Sequence, residues 1–254
     1  MSVPHRPLGS TGIDVSCLGL GSVKFGRNQG VKYPQEFSLP KDAKILQLLE
    51  SAQELGINLI DTAPAYGTSE KRLGQLLRDR DKWIIATKVG EEFVDGESAF
   101  NFSSEHTQLS IERSLRHLDT DYLDLVMIHS DGNDIEILES TGCLETLFKL
   151  KDKGLIRAIG MSTKTIEGGR KAVALMDAVM VTYNTEHRQE EQVIDHAREL
   201  GKAVLIKKAL ASGHAHNSQQ ALQFALQKQG VSSAIVGTLS IEHLTANAKA
   251  ASQV

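Results

Sequence analysis

Short apolar runs alternate with amphipathic stretches along this chain, and that rhythm constrains the fold more than any single motif. The apolar runs are CLGLGS near the start, then residues 57–61, 83–88, 122–128, 155–161, 178–182, 202–207 and 233–236. Helical spacing fills the gaps, over 40–56, 69–79, 103–118, 140–153, 165–175, 189–200, 217–229 and 240–250. In the first of these, Ile45, Leu48, Leu49, Ala52 and Leu55 share one face and Gly56 is the stop. Gly154, Gly201 and Gly230 punctuate later helices in the same way, since glycine takes the left-handed conformation that turns the chain back. Runs such as IRAIGM and AVLI are apolar on both faces, as a parallel sheet covered by helices requires. Eight strand–helix units predict an α/β fold, a closed (β/α)8 TIM barrel spanning residues 1–254 as one domain. RPLGSTGIDVS predicts an N-terminal β-hairpin around Gly9 and Ser10. An open doubly wound sheet would carry GxGxxG or GxxxxGK[ST] after its first strand, and GLGSVKFG matches neither.

Composition narrows the partners. A net charge of −4 gives no reason to expect nucleic acid or an anionic membrane. No apolar run approaches the ~20 residues of a membrane span, and MSVPHRPLGSTG lacks the apolar centre of a secretory signal. The two cysteines, Cys17 and Cys143, are far apart and without CxxC spacing, so no metal site is expected and a reducing cytoplasm fits best.

In a barrel of this kind the strand C-termini meet at one rim, where active sites are built. Asp61 ends NLID, Lys88 ends IIATK and His129 ends LDLVMIH, while Tyr66 follows in PAYG. Singly each has a plain structural explanation: a cap, a turn residue, a core imidazole. A lysine at a strand end needs a carboxylate, because a buried unpaired ammonium is costly, and Asp61 on the neighbouring strand can supply it. Together the four assemble a phenol beside a paired ammonium, a proton donor suited to acid–base chemistry. The segments 24–39, 90–102 and 207–216 are long for strand-to-helix loops and lie on the same rim, so they are expected to serve function.

The segments PLGSTGIDVSCLGLG, GINLIDTAPAYGTSEKRLG, IIATKVG, SIERSLRHLDTDYLDLVMIH and GLIRAIGMS resemble the aldo-keto reductases, from Leu8 to about Asn247. The likeness is to the shorter bacterial type, without a long C-terminal loop over the pocket. It implies a nicotinamide cofactor bound by a barrel without a Rossmann unit. It also implies a catalytic tetrad of Asp61, Tyr66, Lys88 and His129, with Tyr66 as general acid/base in hydride transfer between a carbonyl and an alcohol. On this reading Lys88 lowers the pKa of Tyr66, Asp61 keeps Lys88 charged, and His129 donates a hydrogen bond to the substrate carbonyl.

The resemblance further implies cofactor contacts from Gly21, Ser162, Asn184, Lys207, Gly237, Thr238, Ser240, His243 and Asn247. Two positions depart from the family pattern: Met180 stands where a glutamine is common, and Lys207 where many members stack an aromatic ring on the nicotinamide. The stem of Lys207 could pack on that ring and its head reach a phosphate. Thr238 and Ser240 open the last helix, whose free N–H groups suit a phosphate. With no arginine fork there, NADPH is expected ahead of NADH on family grounds, though NADH remains open.

The expected substrate is a small carbonyl or alcohol, its pocket filled out by Phe25, Phe93, Phe100 and Phe102. Two other functions fit the same residues. One is an aldolase forming a Schiff base on Lys88, Lys207 or Lys208, and the other a cofactor-binding regulatory subunit with little turnover.

Overall fold

The computed structural model describes residues 2–254. It opens with an antiparallel hairpin of β1 (His5–Pro7) and β2 (Asp14–Ser16), in which Arg6 opposes Val15. The turn falls at Gly9, whose φ of +56° suits glycine. Then come β3 (Leu18–Gly21), α1 (Val23–Gly26), α2 (Asp42–Glu54), β4 (Leu59–Asp61), α3 (Ser69–Leu76) and β5 (Ile84–Val89). A second hairpin, β6 (Glu91–Val94) and β7 (Glu97–Phe100), precedes α4 (Ser104–Leu118) and β8 (Leu123–His129). The chain continues through α5 (Asp134–Ser140), α6 (Cys143–Asp152), β9 (Ile156–Ser162), α7 (Ile166–Leu175), β10 (Ala178–Thr182) and α8 (Glu191–Glu199). It ends with β11 (Ala203–Lys207), α9 (Ser218–Gln227), β12 (Ser233–Val236) and α10 (Ile241–Ala251).

Eight parallel strands close a barrel in the order β3-β4-β5-β8-β9-β10-β11-β12, with β12 pairing back to β3. This is the (β/α)8 TIM barrel that the alternation predicts. Two apolar clusters divide its interior. Leu59, Ala86, Leu125, Met127, Met180 and Leu205 fill the barrel, and Leu8, Ile13 and Val15 from the first hairpin plug its lower end. A larger cluster, including Leu20, Ile60, Ile85, Val126, Ile159 and Ile206, lies between the strands and the helices. Successive strand residues alternate between the two clusters, which explains why these strands read as apolar on both faces.

Three local expectations are corrected. Helix 69–79 stops at Leu76, because Leu77 is already extended and the chain then turns at Asp79 with φ +54°. The stretch 140–153 belongs to two helices, since Gly142 at φ +78° breaks it and α5 begins earlier, at Asp134. That extra helix is tied down by Asp134, a buried carboxylate that accepts from Lys164 N (3.0 Å), Thr165 N (2.7 Å) and Thr165 Oγ1 (2.6 Å). The rim segment 90–102 is largely the β6–β7 hairpin, turning at Asp95 and Gly96, both with positive φ. Among the described residues no helix is long and apolar enough to cross a membrane.

Candidate active site

Strand alternation aims the sequence-selected residues at one mouth. Asp61 lies two residues beyond Leu59, Lys88 two beyond Ala86, His129 two beyond Met127 and Lys207 two beyond Leu205, and those four apolar residues face the barrel interior. The inward-facing set therefore ends, at its C-terminal edge, in Asp61, Lys88, His129 and Lys207. Register does the rest: Gly21 pairs with Asp61, and His129 with Ser162.

Asp61 and Lys88 are almost wholly buried and in direct contact, with Lys88 Nζ donating to Asp61 Oδ1 at 2.6 Å and to Thr62 O at 2.8 Å. Tyr66 leaves β4 through a single turn of 3₁₀ helix, Pro64–Tyr66, and returns its hydroxyl to Asp61 Oδ2 at 3.4 Å. The Lys88 ammonium lies 4.7 Å from the centre of the Tyr66 ring, and the His129 ring meets that ring edge-on at 6.3 Å. Asp61 thus holds the lysine with one oxygen and the phenol with the other.

This arrangement changes the expected electrostatics of Tyr66. Burial, followed by the Asp61 carboxylate, pushes the phenol well above its ordinary range. The expectation that Lys88 lowers it does not hold in this geometry. The ammonium is spent on Asp61 and Thr62 O, while Asp61 accepts a hydrogen bond from the Tyr66 hydroxyl and so favours the neutral phenol. Tyr66 is therefore held protonated in this geometry.

The fifth member of the constellation is one that reading the strand ends alone misses. Glu91, the first residue of the β6–β7 hairpin, brings Oε2 to 2.8 Å from His129 Nδ1, a close contact without the alignment of a linear hydrogen bond. Burial alone would raise the Glu91 carboxyl; the His129 contact, a 2.6 Å hydrogen bond from Ser98 Oγ and the charge of Arg27 overcome it and bring it down to about 2. His129 is pulled below its usual value by burial and by the charges of Lys88 and Lys207, against the pull of Glu91. The signal for this hairpin was present in the sequence: Asp95-Gly96 between EEFV and ESAF is the two-residue turn pattern.

The aromatic residues expected to shape the pocket divide. Phe25 is fully buried in the outer cluster and Phe102 is packed beneath Gly90, so neither lines the mouth as expected. Phe93 lies under the Arg27 guanidinium, 3.5 Å from ring centre to Cζ, and Phe100 is partly exposed. From the 24–39 loop Tyr33 arrives instead. Its ring is covered by the Lys24 ammonium at 4.1 Å, and its hydroxyl lies where a Cβ on Gly237 would meet it at 3.2 Å.

Around the rest of the rim, Ser162 Oγ accepts from Lys207 Nζ at 2.9 Å, and Thr163 O accepts from the same ammonium at 2.6 Å. Burial draws the Lys207 ammonium down to about 8. Asn184 is buried and engaged at both ends of its amide, donating to Lys208 O and accepting from the N–H groups of Glu186 and His187. Met180 sits in the interior cluster on the strand beside Ser162, its register partner. Gly21 and Gly237 face one another without side chains, a Cβ on Gly21 falling 3.4 Å from Gly237 N. Ser240 caps α10 by accepting from His243 N, and Thr238 Oγ1 accepts from Ser240 N. Asn247 is buried, and among the described residues its side-chain amide has no protein hydrogen-bond partner. A cavity of about 390 Å³ opens beside the mouth, between Thr182, Asn184, Glu190, Lys208 and His214.

A model of the aldo/keto reductase family matches residues 17–220. The chain belongs to this family. It is 31% identical over 217 residues to the aldo-keto reductase YhdN of Bacillus subtilis (strain 168), covering 82% of this chain and 62% of that protein. The chain spans less than two thirds of the length of two curated relatives that it matches, YhdN and the Bacillus subtilis oxidoreductase YqkF. Among solved structures, the PA4992 protein of Pseudomonas aeruginosa is 52% identical with a TM-score of 0.91, over 98% of this chain and 95% of that one. The holo form of the aldo-keto reductase AKR11C1 from Bacillus halodurans is 26% identical with a TM-score of 0.83, over 98% of this chain and 90% of that one. Family membership and the barrel therefore rest on agreement along nearly the whole chain. Asp61, Tyr66, Lys88 and His129 gather at the C-terminal mouth of that barrel.

Proposed function

We propose that the chain is an NAD(P)H-dependent oxidoreductase that interconverts a small carbonyl compound and its alcohol, with Tyr66 as general acid/base. The observation that carries this is the shared carboxylate: Asp61 bonds Lys88 with one oxygen and Tyr66 with the other, at the mouth of the barrel. A bound reduced nicotinamide would supply the hydride. The work of the chain itself is to polarise the carbonyl and deliver a proton to its oxygen. Tyr66, held protonated, donates from Oη as alkoxide character develops, and a ring N–H of His129 adds a second hydrogen bond to that oxygen. Lys88 holds in place the Asp61 carboxylate that orients the Tyr66 hydroxyl.

The remaining residues fit a dinucleotide. The Gly21–Gly237 seam gives room for close approach of a planar group, and the unpartnered amide of buried Asn247 is a ready contact for a nucleobase. The N-terminus of α10, with Thr238, Ser240 and His243, suits a phosphate. Ser240 Oγ is also bonded to Glu242, so the extra phosphate of NADPH must compete with a carboxylate there. NADPH is kept ahead of NADH on the family resemblance alone. In this reading Ser162 and Lys207 stand at the nicotinamide end, residues 1–254 act as one barrel domain, and two free buried cysteines fit a reducing cytoplasm.

The test is cofactor binding followed by turnover. Saturable changes in the fluorescence of NADPH or NADH, and carbonyl-dependent oxidation of the cofactor, are expected. No binding of either at millimolar cofactor overturns the reading, and binding without turnover of any carbonyl would favour a regulatory subunit. One observation supports a Schiff-base alternative: Lys207 is drawn down to about 8 and is the more nucleophilic for it. Borohydride trapping of a carbonyl on Lys207 would separate that chemistry from hydride transfer.

A further inference from the structure

Two lysines end barrel strands at this mouth, and they are treated differently. Lys88 is neutralised by a carboxylate at 2.6 Å. Lys207 bonds only to a hydroxyl and a carbonyl, Ser162 Oγ and Thr163 O, and among the described residues no carboxylate forms an ion pair with it. Its positive charge is therefore left to act on whatever enters the mouth. Ser162 is the register partner of His129, so Lys207 Nζ is one hydrogen bond away from the neighbour of a tetrad residue. A hydride donor must come within about 3–3.5 Å of a carbonyl carbon held by Tyr66 and His129. On the nicotinamide reading such a donor would enter against the Ser162–Lys207 side of the mouth, beside His129.

We propose that Lys207 makes this site discriminate between the two redox states of the nicotinamide, admitting the neutral reduced ring and repelling the cationic oxidised one. The inference rests on the nicotinamide reading above. A ligand's binding shifts with charge only where the charge difference is felt, and the oxidised and reduced cofactors differ by one positive charge on the ring itself. In a partly desolvated site an ammonium with no carboxylate in direct contact, a few ångströms away, costs the oxidised form on the order of tenfold or more in affinity. An aromatic ring at this position would stack on either form, whereas a cation favours one. The consequence is directional. The site loads the reduced cofactor and releases the oxidised one readily, while the charge also opposes hydride transfer within the complex.

The charge is also titratable, and its surroundings are mixed. Glu190 and Asp134 favour the ammonium from α8 and α5 or the residues beside them, whereas Lys208 and Lys164 oppose it, and His129 faces it across the mouth. With burial bringing Lys207 to about 8, binding of the oxidised cofactor is expected to tighten between pH 7 and 9, and binding of the reduced cofactor to change less.

The experiment compares dissociation constants of NADP+ and NADPH, and of NAD+ and NADH, for the full chain and for Lys207→Met and Lys207→Arg, by calorimetry and cofactor fluorescence. The expected result is a wild-type preference for the reduced form that falls by about tenfold in Lys207→Met through tighter binding of the oxidised form, with Lys207→Arg close to wild type. A loss of affinity for both forms alike in Lys207→Met would mean that the ammonium holds a phosphate, and would overturn the proposal. An unchanged ratio would overturn it too. Failure of the nicotinamide reading looks different: the wild-type protein would bind neither redox state. Circular dichroism of each variant excludes misfolding as the cause of any loss, and Lys207→Gln is the alternative neutral variant if Lys207→Met fails to fold.

Discussion

Glu91 Oε2 lies 2.8 Å from His129 Nδ1, so the hairpin inserted after β5 reaches back to grip the imidazole at the end of β8. Neither residue lies in the other's element, and the contact joins a rim insertion to the barrel. Glu91 favours the charged imidazole, while burial and two lysines disfavour it, and the latter prevail. Glu91→Gln should therefore drive the His129 pKa lower still. It should also reduce kcat by about tenfold through looser placement of the ring. Imidazole NMR across a pH series reads the first effect and steady-state kinetics the second. A His129 titration that does not move would show that the contact carries no electrostatic weight.

The same carboxylate makes an acid-stability prediction. Glu91 falls from 4.5 to about 2 on folding, so its contribution is fully present above pH 4.5 and is lost as pH drops from there toward 2. Its size is roughly 3 kcal/mol, at ~1.4 kcal/mol for each tenfold change in the ionisation constant. His129, lowered on folding, adds a loss that begins at higher pH, as acid protonates it in the unfolded chain first. Chemical denaturation of wild type and Glu91→Gln at pH 7, 5, 4 and 3 should show a stability gap that closes below 4.5. A gap independent of pH would assign the effect to packing.

Tyr66 is pushed well above its ordinary range, by burial first and Asp61 second, so it stays protonated through neutral and mildly alkaline pH. Tyr66→Phe should cut kcat for carbonyl reduction by about 10²–10⁴-fold while cofactor affinity holds within about twofold. Any fall in reduction rate near pH 8 in the wild type then belongs to another group. Equal rates in wild type and Tyr66→Phe would remove the phenol from the chemistry.

How far the sequence discloses this site follows from the kind of contact involved. Asp61, Lys88 and His129 were legible because each ends an apolar strand, and parallel strands in a closed barrel can end only at a common rim. Ser162 and Lys207 follow by the same logic. Glu91 and Tyr33 lie on insertions whose path over the rim no periodicity specifies, although Asp95-Gly96 did announce a hairpin. Likewise α5 escaped notice: its seven residues rely on Asp134 gripping the β9–α7 connection, a long-range anchor that local spacing does not encode. The pKa of Tyr66 was misread for a related reason. The residue types implied a lysine beside a phenol, but which oxygen of Asp61 faced which partner is a matter of coordinates.

The Asp61–Lys88 pair makes a stability cycle. Removing one partner leaves the other charge buried and unpaired, so Asp61→Asn should cost about 3–5 kcal/mol. Lys88→Met should cost less, since Asp61 retains the Tyr66 hydroxyl as a donor. The double variant should be more stable than the sum of the two losses predicts, with a coupling of about 1–3 kcal/mol by urea denaturation. Strict additivity would mean that the pair contributes nothing as a pair.

The last prediction concerns how Tyr66 is aimed. Gly26 ends α1 and Gly67 follows Tyr66, and the two backbones meet without side chains between them. A Cβ on Gly67 would overlap Gly26 O, and one on Gly26 would overlap Tyr66 O and Ser69 N and fall 2.6 Å from Thr68 N. Gly67 also has φ +62° with ψ −117°, a conformation that a side chain strains. Gly67→Ala must therefore either separate α1 from the tyrosine turn or rotate the turn itself. Both displace the Tyr66 hydroxyl from Asp61. The variant should lose about 2–4 kcal/mol of stability and, in the folded fraction, at least tenfold in kcat with cofactor affinity retained. Gly154→Ala is the control: its φ is also positive, at +77°, but nothing lies within 4 Å of its Cβ, so it should cost stability without touching kcat. Equal kinetic losses in the two variants would show that backbone strain alone, and not the meeting of α1 with the tyrosine turn, sets the activity.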